Sequence, residues 1–381
     1  MIKRLAIIFI LAGFGILLIN GGTRAMSIFG SEFQSKYKVL FQDVEKLNAY
    51  TRTHKVELTG ESVKEIKINK AEFHGATFKK VKWEDVTFDN SIFNNVVFED
   101  CEFLNSSFNA AKFVNCVFKN CKIHYTKMNR AVFKNGQFND CDIEKSGMVK
   151  WMGDEVTFNG CKILDTPLAQ GNIKFAFHNT NLDGVRVMMT EGNHSLLIEG
   201  GLLSEVDFSK SHFSTVTLRR VRQGEGPTRF DSVTAESFRF EDVDMTRGVS
   251  LARVKTTLVS IDGGTFRGAT EGSIIDKIYA RKANLFMYDM SEATMPYVNI
   301  DNCEILNLAI WECNVKELLI TNSTANGIDA TDFKADIVLW DNVILDGKID
   351  LTNAQVNDFR PTRLKRGPRL QLITTGSNMR F

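Results

Sequence analysis

Large apolar residues recur at every fifth position through the first half of the chain. The step of five is kept without a miss over sixteen positions, which are Phe73, Phe78, Trp83, Phe88, Phe93, Phe98, Phe103, Phe108, Phe113, Phe118, Ile123, Met128, Phe133, Phe138, Ile143 and Met148. The residue two positions earlier is small or β-branched in every unit, from Ala71 to Ser146. A helix repeats its faces about every 3.6 residues and a strand every two, so a period of five fits neither as a continuous element.

Each unit therefore indicates a short strand followed by a turn. The small and the large residue are two positions apart, so both side chains point to the same side of an extended segment. Two positions after the large residue, the chain often carries glycine, asparagine or aspartate, which tolerate the positive φ of a tight turn. These turn positions are Gly75, Asp85, Asn90, Asn95, Asp100, Asn105, Asn115, Asn120, Asn135 and Asp140. The pattern predicts a solenoid whose sides are one pentapeptide long.

These units of a small, a variable and a large residue resemble the repeats of the pentapeptide-repeat family. The resemblance implies an all-β fold, a right-handed four-sided parallel β-helix in which residues twenty apart stack at the strand spacing of about 4.8 Å. Family repeats favour Asp or Asn between the small and the large residue. This chain departs from that preference at Glu72, Thr77, Lys82, Ile92, Val97 and Lys112. The outward position is therefore free to serve a function particular to this protein.

The pattern divides the chain into six segments. A signal peptide or membrane anchor (1–25) and a helical cap with a linker (26–70) precede a regular run of repeats (71–170). An irregular stretch (171–282), interpreted as β-helix with bulges and insertions, leads to a second regular run (283–356) and a basic tail (357–381). At twenty residues per coil, residues 71–356 make about fourteen coils.

The segment before the repeats predicts one amphipathic helix. Its apolar face would consist of Phe33, Tyr37, Leu40, Phe41, Val44 and Leu47, with Ser31 as the N-cap. A solenoid exposes strand edges at its ends, so this helix is expected to cover the first coil. A helix that binds a partner or a second copy of the chain is the alternative.

The N-terminus has the outline of a secretory signal. Lys3 and Arg4 precede an apolar run from Leu5 to Ile19, and Ala25 offers a cleavage site. As a helix the run would span about 22 Å, less than the hydrocarbon core of about 30 Å, and an uncleaved anchor remains the alternative. Both predict a rod outside the bacterial cytoplasm, periplasmic or anchored in the inner membrane through residues 5–19 and facing the periplasm.

Seven cysteines argue against export, because exported chains meet oxidants and an odd number leaves one thiol unpaired. Cys101, Cys121, Cys141 and Cys161 are separated by twenty and occupy the small inward position. One interpretation is a column of small buried residues; the alternatives are disulfides or metal ligands. The column is favoured because no histidine or carboxylate shares it.

The net charge of +1 conceals a strong asymmetry. Residues 1–70 carry 11 basic and 6 acidic groups, and the tail from residue 357 carries 6 basic groups and 1 acidic group. The second regular run holds 12 carboxylates against 3 lysines. The basic tail, with Arg360, Arg363, Lys365, Arg366 and Arg369, therefore follows the acidic run directly. It is expected to be solvated, to fold back over the last coils, or to reach an outside partner.

No catalytic constellation is evident in the sequence. The six histidines lack metal-ligand spacing, and neither a phosphate-binding glycine-rich loop nor a nucleophile motif is present. The favoured hypothesis is an exported, non-catalytic scaffold or protein-binding component of a bacterial cell envelope, without a cofactor. One alternative follows from the resemblance, since some family members mimic DNA and bind gyrase; another is an effector delivered to a host cell. The near-neutral run 71–170 counts against DNA mimicry.

Apolar residues at outward positions are the candidates for protein binding, because stacked exposed apolar side chains form a patch. The candidates are Ile92, Val97, Val117, Val132, Phe286, Leu306, Trp311, Leu319 and Leu339. Within this set, residues 92 and 132 share one predicted column and residues 97 and 117 another, and the pairs 286/306 and 319/339 stack likewise. The expected partners are proteins, including a second copy of the chain, and no nucleic acid.

Overall fold

Parallel strands stacked coil upon coil account for most of the molecule. The computed structural model describes residues 35–190 and 194–381, and within them the chain forms two short helices and a parallel β-solenoid of about 16 turns. The all-β solenoid predicted from the five-residue period is thereby confirmed. No helix within the described residues is long and apolar enough to cross a membrane. The predicted signal or anchor, residues 1–25, lies outside them.

The helices α1 and α2 span Ser35–Gln42 and Val44–Thr51. The first fourteen strands, β1 to β14, span Glu57–Thr59, Ser62–Lys64, Glu72–His74, Thr77–Lys79, Lys82–Glu84, Ile92–Asn94, Val97–Glu99, Glu102–Leu104, Lys112–Val114, Val117–Lys119, Lys122–His124, Val132–Lys134, Gly136–Asn139 and Asp142–Glu144. Nearly all of them are three residues long, as expected for sides of one pentapeptide.

The later strands are mostly longer. They are β15 to β36, and they span Met152–Asn159, Lys162–Leu164, Asn172–His178, Asn181–Asp183, His194–Glu199, Leu202–Ser204, His212–Arg219, Arg222–Gln223, Thr228–Arg229, Thr234–Ser250, Lys255–Ala269, Ile274–Arg281, Asn284–Phe286, Tyr297–Asp301, Glu304–Ala309, Asn314–Thr321, Thr324–Asp329, Lys334–Asp341, Ile344–Asp350, Gln355–Thr362, Lys365–Arg366 and Gln371–Ile373.

The core is a set of stacked rings that the five-residue period places on the inside. Phe118 is fully buried, and its ring lies 4.7 Å from that of Phe98 and 4.6 Å from that of Phe138, nearly parallel to both. These residues are twenty apart because β10 pairs in parallel with β7 on one side and β13 on the other. Identical residues on successive coils therefore bury one another.

The small inward position supports the corner of each coil. Ser91 donates its hydroxyl to the carbonyl of Ile68, 3.1 Å away, and accepts the N–H of Ala71 at 3.0 Å. Cys101 directs its thiol at the carbonyl of Phe78, 3.2 Å away. A small side chain that can donate a hydrogen bond satisfies buried backbone groups in this place. The seven cysteines are all buried at such positions, which confirms the predicted column.

The corners adopt the left-handed backbone predicted for them. All ten turn positions named above have positive φ, such as Asn95 at 55° and Asp100 at 54°. Side-chain amides stack along this corner, since Asn115 donates to Asn95 at 3.1 Å and accepts from Asn135 at 3.0 Å. The same backbone also occurs at residues with no special tolerance for it, such as Tyr125 at 53°. The stacked coils therefore hold the corner even where the side chain does not favour it.

The helical cap differs from the prediction in one respect. The predicted single helix is broken at Asp43, whose carboxylate accepts the N–H of Lys46 and caps α2. Ser31 and Phe33 lie outside the described residues. Phe41 is fully buried against the rings of Phe73 and Trp83. The helix pair thus covers the first coil, and the break lets both helices lie on it.

The solenoid extends beyond the predicted repeats at both ends. Its first strand begins at Glu57, inside the segment expected to be cap and linker, and pairs with Thr77–Lys79. Between residues 171 and 282 the ladder continues with variable coils: Val156 pairs with Phe175, 19 positions along, whereas Val216 pairs with Phe238, 22 positions along. The inserted residues account for the lost five-residue register.

The C-terminal residues form the last strands of the solenoid rather than an irregular tail. β34 and β36 lie on the preceding coil in parallel ladders. Arg369 bonds the carboxylate of Asp346 through Nε at 3.0 Å and through its backbone N–H at 2.9 Å, and Arg363 pairs with Asp341. The basic tail is therefore neither solvated nor extended to a partner in this structure: it stacks on the acidic coils as a continuation of the solenoid.

Candidate protein-binding face

The longer strands of the C-terminal half present a wider outer face than the three-residue strands before them. Strands β26, β28, β30 and β32 stack in parallel. Their outward side chains form two neighbouring ladders, one of Lys277, Tyr297, Glu317 and Ile337 and the other of Tyr279, Asn299, Leu319 and Leu339. We call these eight residues the Tyr–Leu face.

The tyrosine side chains on this face are open to solvent, and the aliphatic side chains beside them are half-buried. Tyr279 is 42% exposed and Tyr297 is 38% exposed. Two depressions, of about 370 and 240 Å³, lie on the face and share Tyr279, Asn299 and Leu319 in their linings. Rings that stand beside shallow concavities are the features on which protein interfaces concentrate binding energy.

A ladder of polar residues borders the face. Asp262 pairs with Arg281, which holds the pKa of that carboxyl below its ordinary value. Asp301 accepts the hydroxyl of Thr321 at 2.6 Å and the amide of Asn322 at 2.8 Å, and these hydrogen bonds lower its pKa as well. The border is therefore charged at neutral pH and its groups already have partners. It resembles the polar rim that surrounds the apolar centre of an interface.

Only two of the nine residues singled out in the sequence lie on this face. Leu319 and Leu339 are half-buried neighbours in one ladder. Phe286 and Leu306 also stack directly, but on β27 and β29, away from the Tyr–Leu face. Trp311 is half-buried in the turn between β29 and β30.

The candidates in the first run are less continuous. Ile92 and Val132 are in one ladder, as predicted, but Lys112 lies between them. Val97 and Val117 are direct neighbours. All four are half-buried, and polar side chains interrupt or flank each pair. The structure therefore does not join them into one apolar patch.

Three aromatic or aliphatic members of the face, Tyr279, Tyr297 and Ile337, were missed in the sequence. Tyr279 lies in the stretch where the five-residue register is lost, so its direction could not be assigned. Tyr297 and Ile337 each stand one position before the small inward residue, which is a corner in a three-residue strand but an outward strand position in β28 and β32. A signal was available in the alternation of Tyr297, Val298, Asn299 and Ile300, which indicates a strand with one buried face.

The basic residues of the tail do not form one site. Arg363 and Arg369 pair with carboxylates of the preceding coil, and Arg360 pairs with Asp358 beside it. Lys365 and Arg366 are exposed on β35 and form no ion pair with another described residue. Three of the six basic residues of the tail are therefore engaged within the fold.

Within residues 35–190 and 194–381, no three histidine, cysteine or acidic side chains group in a way that could hold a metal ion. The histidines lie on separate outer positions, for example His124 beside Asp142 and His178 beside Glu199. The arrangement that the described residues offer is a ridged outer surface with shallow depressions, which suits binding of another macromolecule.

The chain is similar in sequence or fold to several known proteins. Residues 91–168 match the family model described as a pentapeptide repeat region. No curated protein matches the chain. Among solved structures, HetL, a pentapeptide repeat protein involved in heterocyst differentiation regulation from the cyanobacterium Nostoc sp. strain PCC 7120, is 12% identical, with a TM-score of 0.23, over 69% of this chain and 92% of HetL. QnrB1, a plasmid-mediated fluoroquinolone resistance protein, is 12% identical, with a TM-score of 0.21, over 44% of this chain and 83% of QnrB1.

The family model overlaps, from residue 91 to residue 148, the run in which the five-residue period is unbroken. The ladders that pair residues twenty apart there continue toward both ends of the solenoid. The repeats match those of the family in their small and large inward residues, and the strands stack as such repeats require. The chain is a pentapeptide-repeat protein.

Proposed function

We propose that the protein is a non-catalytic scaffold that binds a protein partner through the Tyr–Leu face. The observation that carries this proposal is that two neighbouring outward ladders hold five aromatic or aliphatic side chains, with Asn299 and Glu317 interspersed. The five are Tyr279, Tyr297, Leu319, Ile337 and Leu339. Scattered exposed apolar residues need no explanation, whereas contiguous ones within a polar border mark an interaction site.

The chemistry of the face favours a protein over other macromolecules. Tyrosine supplies a large contact area with little conformational freedom to lose, and its hydroxyl can bond to a partner. Lys277 and Glu317 flank Tyr297 in the same ladder with opposite charges. A face with mixed charge and an apolar centre does not attract nucleic acid, which requires a basic surface.

The proposal includes the finer geometry of the rod. Residues pair twenty apart and left-handed corners recur every five residues between Lys80 and Asn95, which corresponds to four corners per coil. A right-handed, four-sided β-helix accounts for both observations. Four flat sides would let the protein hold different partners on different faces.

The proposal also places the rod outside the cytoplasm of a bacterium, as a component of the cell envelope. Its support is the sequence of residues 1–25, with two basic residues before the apolar run. Fractionation of cells followed by immunoblotting tests this location. Recovery in the periplasm or the inner membrane is expected, and recovery of all the protein in the cytosol would overturn the location without bearing on the binding face.

Site-specific photo-crosslinking in the native host tests the binding face. A photoreactive phenylalanine analogue at Tyr297 is expected to give a discrete crosslinked product. The same analogue at Tyr125 is the matched control, because this tyrosine is 48% exposed and belongs to the first run. The product at position 297 should disappear when Leu319 and Leu339 are both changed to Ser. Equal products at both positions, or a product insensitive to the double substitution, would refute the proposal.

A DNA-mimicking role at gyrase is the second candidate, favoured by the acidic run 283–356. Within that run, however, Asp341 and Asp346 are paired with arginines of the tail, so the acidic surface is partly neutralised. Supercoiling by purified gyrase discriminates between the two candidates. Inhibition by the rod at stoichiometric concentration would favour the mimic, and unimpaired supercoiling would favour the scaffold.

A further inference from the structure

A second concave site lies apart from the Tyr–Leu face. It is a groove of about 500 Å³ across the coils where the irregular stretch meets the second regular run. Its lining includes Arg247, Val249, Arg267, Ala269, Met287 and Asn307, contributed by successive coils. None of its lining residues belongs to the Tyr–Leu face or to the two depressions there.

One wall of the groove is an insertion that the half-buried side-chain amide of Gln223 holds in place. The ladder between β24 and β25 shifts register between Met245 and Val249. The side chain of Gln223 accepts the N–H groups of Arg247 and Gly248 at 2.8 and 3.0 Å and donates to the carbonyl of Gly248 at 2.7 Å. Three hydrogen bonds to one side chain fix the bulged backbone, so the wall exists before any ligand arrives.

The floor is closely packed. At Gly268, a Cβ atom would lie 2.5 Å from the ring of Phe266 and 3.2 Å from the ring of Tyr288, and both rings are fully buried. No side chain fits at this point. The groove therefore has a firm floor, along which lie the small side chains of Ala269 and Ala309.

The charge of the groove is unevenly distributed. Arg247 and Arg267 lie on adjacent coils, and neither forms an ion pair with any residue that the structure describes, whereas Arg219, Arg281 and Arg363 all do. Asp289 also lines the groove, but its carboxylate already accepts the N–H and the hydroxyl of Ser291 at 2.9 and 2.5 Å. One end of the groove thus offers two guanidinium groups without a partner.

We propose that this groove binds an extended acidic peptide segment of a partner protein. Two free guanidinium groups on neighbouring coils suit two carboxylates on alternate residues of an extended chain, since each guanidinium can bond a carboxylate in bidentate fashion. The intervening side chains of the peptide would lie over Ala269, Ala309 and the exposed thioether of Met287. Asp289 repels a long polyanion such as a nucleic acid, so charge complementarity selects a peptide with a short acidic end. This site does not depend on the Tyr–Leu face.

Selection from a random heptapeptide library displayed on phage, with the purified rod as bait, tests the proposal. Peptides with two acidic residues at alternate positions should be enriched. For one enriched peptide, labelled with fluorescein, anisotropy should show binding that weakens at least tenfold in the R247E/R267E variant. The matched control is R239E/R253E, which makes the same change in charge at exposed arginines outside the groove and should bind like wild type.

Failure to enrich acidic peptides, or equal loss of binding in the groove variant and the control variant, would overturn the proposal. A second substitution, Ala309→Trp, fills the groove without changing its charge and should also abolish binding. Circular dichroism of each variant separates a loss of binding from a loss of fold.

Discussion

The side-chain amide of Asn378 bonds both polar backbone groups of Val356, accepting its N–H at 2.8 Å and donating to its carbonyl at 2.9 Å. Asn48 does the corresponding work at the other end of the rod, where it accepts the N–H of Glu72 at 2.7 Å and donates to the carbonyl of Lys70 at 3.0 Å. A terminal coil has a strand edge that the next coil would otherwise satisfy. One asparagine near each end of the solenoid therefore takes the place of a missing strand at that edge.

Replacing Asn378 with Ala should destabilise the last coil by about 1 to 2 kcal/mol, because two hydrogen bonds to backbone groups are lost. The measurement is amide hydrogen exchange at Val356, which should quicken while exchange in the first run stays unchanged. Asn314→Ala is the control, since Asn314 is exposed and outward on β30. Unaltered exchange at Val356 in the Asn378 variant would show that water replaces the amide.

Replacing Phe118 with Ala should cost about 3 to 5 kcal/mol, since it removes one ring from an unbroken stack and leaves a cavity. The control is Lys119→Ala, one residue along and facing outward. Among the described residues Lys119 forms one ion pair, with Glu99 at 3.2 Å, and the ammonium group lies at the surface. The loss of this pair should cost less than about 1 kcal/mol. Urea unfolding followed by circular dichroism compares the two variants. Similar midpoints for both would contradict the inward placement of the phenylalanine.

The cysteines should resist alkylation in the native protein. Burial raises the pKa of the Cys116 thiol to about 11 and that of the Cys313 thiol to about 11, and only the thiolate reacts. Intact mass after iodoacetamide treatment at pH 8 should show no adduct on the folded chain and an adduct on all seven cysteines in denaturant. Rapid modification of the folded chain would mean that the coils open readily.

The docking of the C-terminal coil should weaken in acid. Hydrogen bonds from Arg363 and Thr362 lower the pKa of Asp341 to about 2. The pKa of an aspartate in an unfolded chain is about 3.9. A group whose pKa is lowered on folding contributes its stabilisation fully above the unfolded value and loses it as the pH falls through the folded value. The stabilising contribution of this ion pair should therefore be present at pH 7 and largely absent at pH 2.

The measurement is the difference in melting temperature between the wild type and Arg363→Met. The variant should melt lower at pH 7, and the difference should close between pH 4 and pH 2. Arg366→Met serves as the control, because Arg366 is exposed and has no ion pair within the described residues. A difference that persists unchanged at pH 2 would show that Arg363 acts through packing rather than charge.

The five-residue period by itself determined the solenoid, the inward direction of Phe118 and its equivalents, the burial of the cysteines and the left-handed corners at Asn95 and Asp100. These features repeat from coil to coil, so each is encoded locally and reinforced by an identical neighbour. The small departures within the cap, such as the break at Asp43, depend on how two helices fit over Trp83 and could not be inferred from one amphipathic pattern.

Only the tertiary structure decided which outward residues adjoin. Whether Tyr279 stands beside Asn299, or Arg247 beside Arg267, depends on how many residues each preceding coil contains, and in this protein that number varies from 19 to 22 in the irregular stretch. The sequence marks the core because burial demands the same kind of residue in every coil. The sequence indicates less clearly which surface residues lie together, because solvent tolerates many residue types at outward positions. In addition, a shift of one position turns an outward side chain inward.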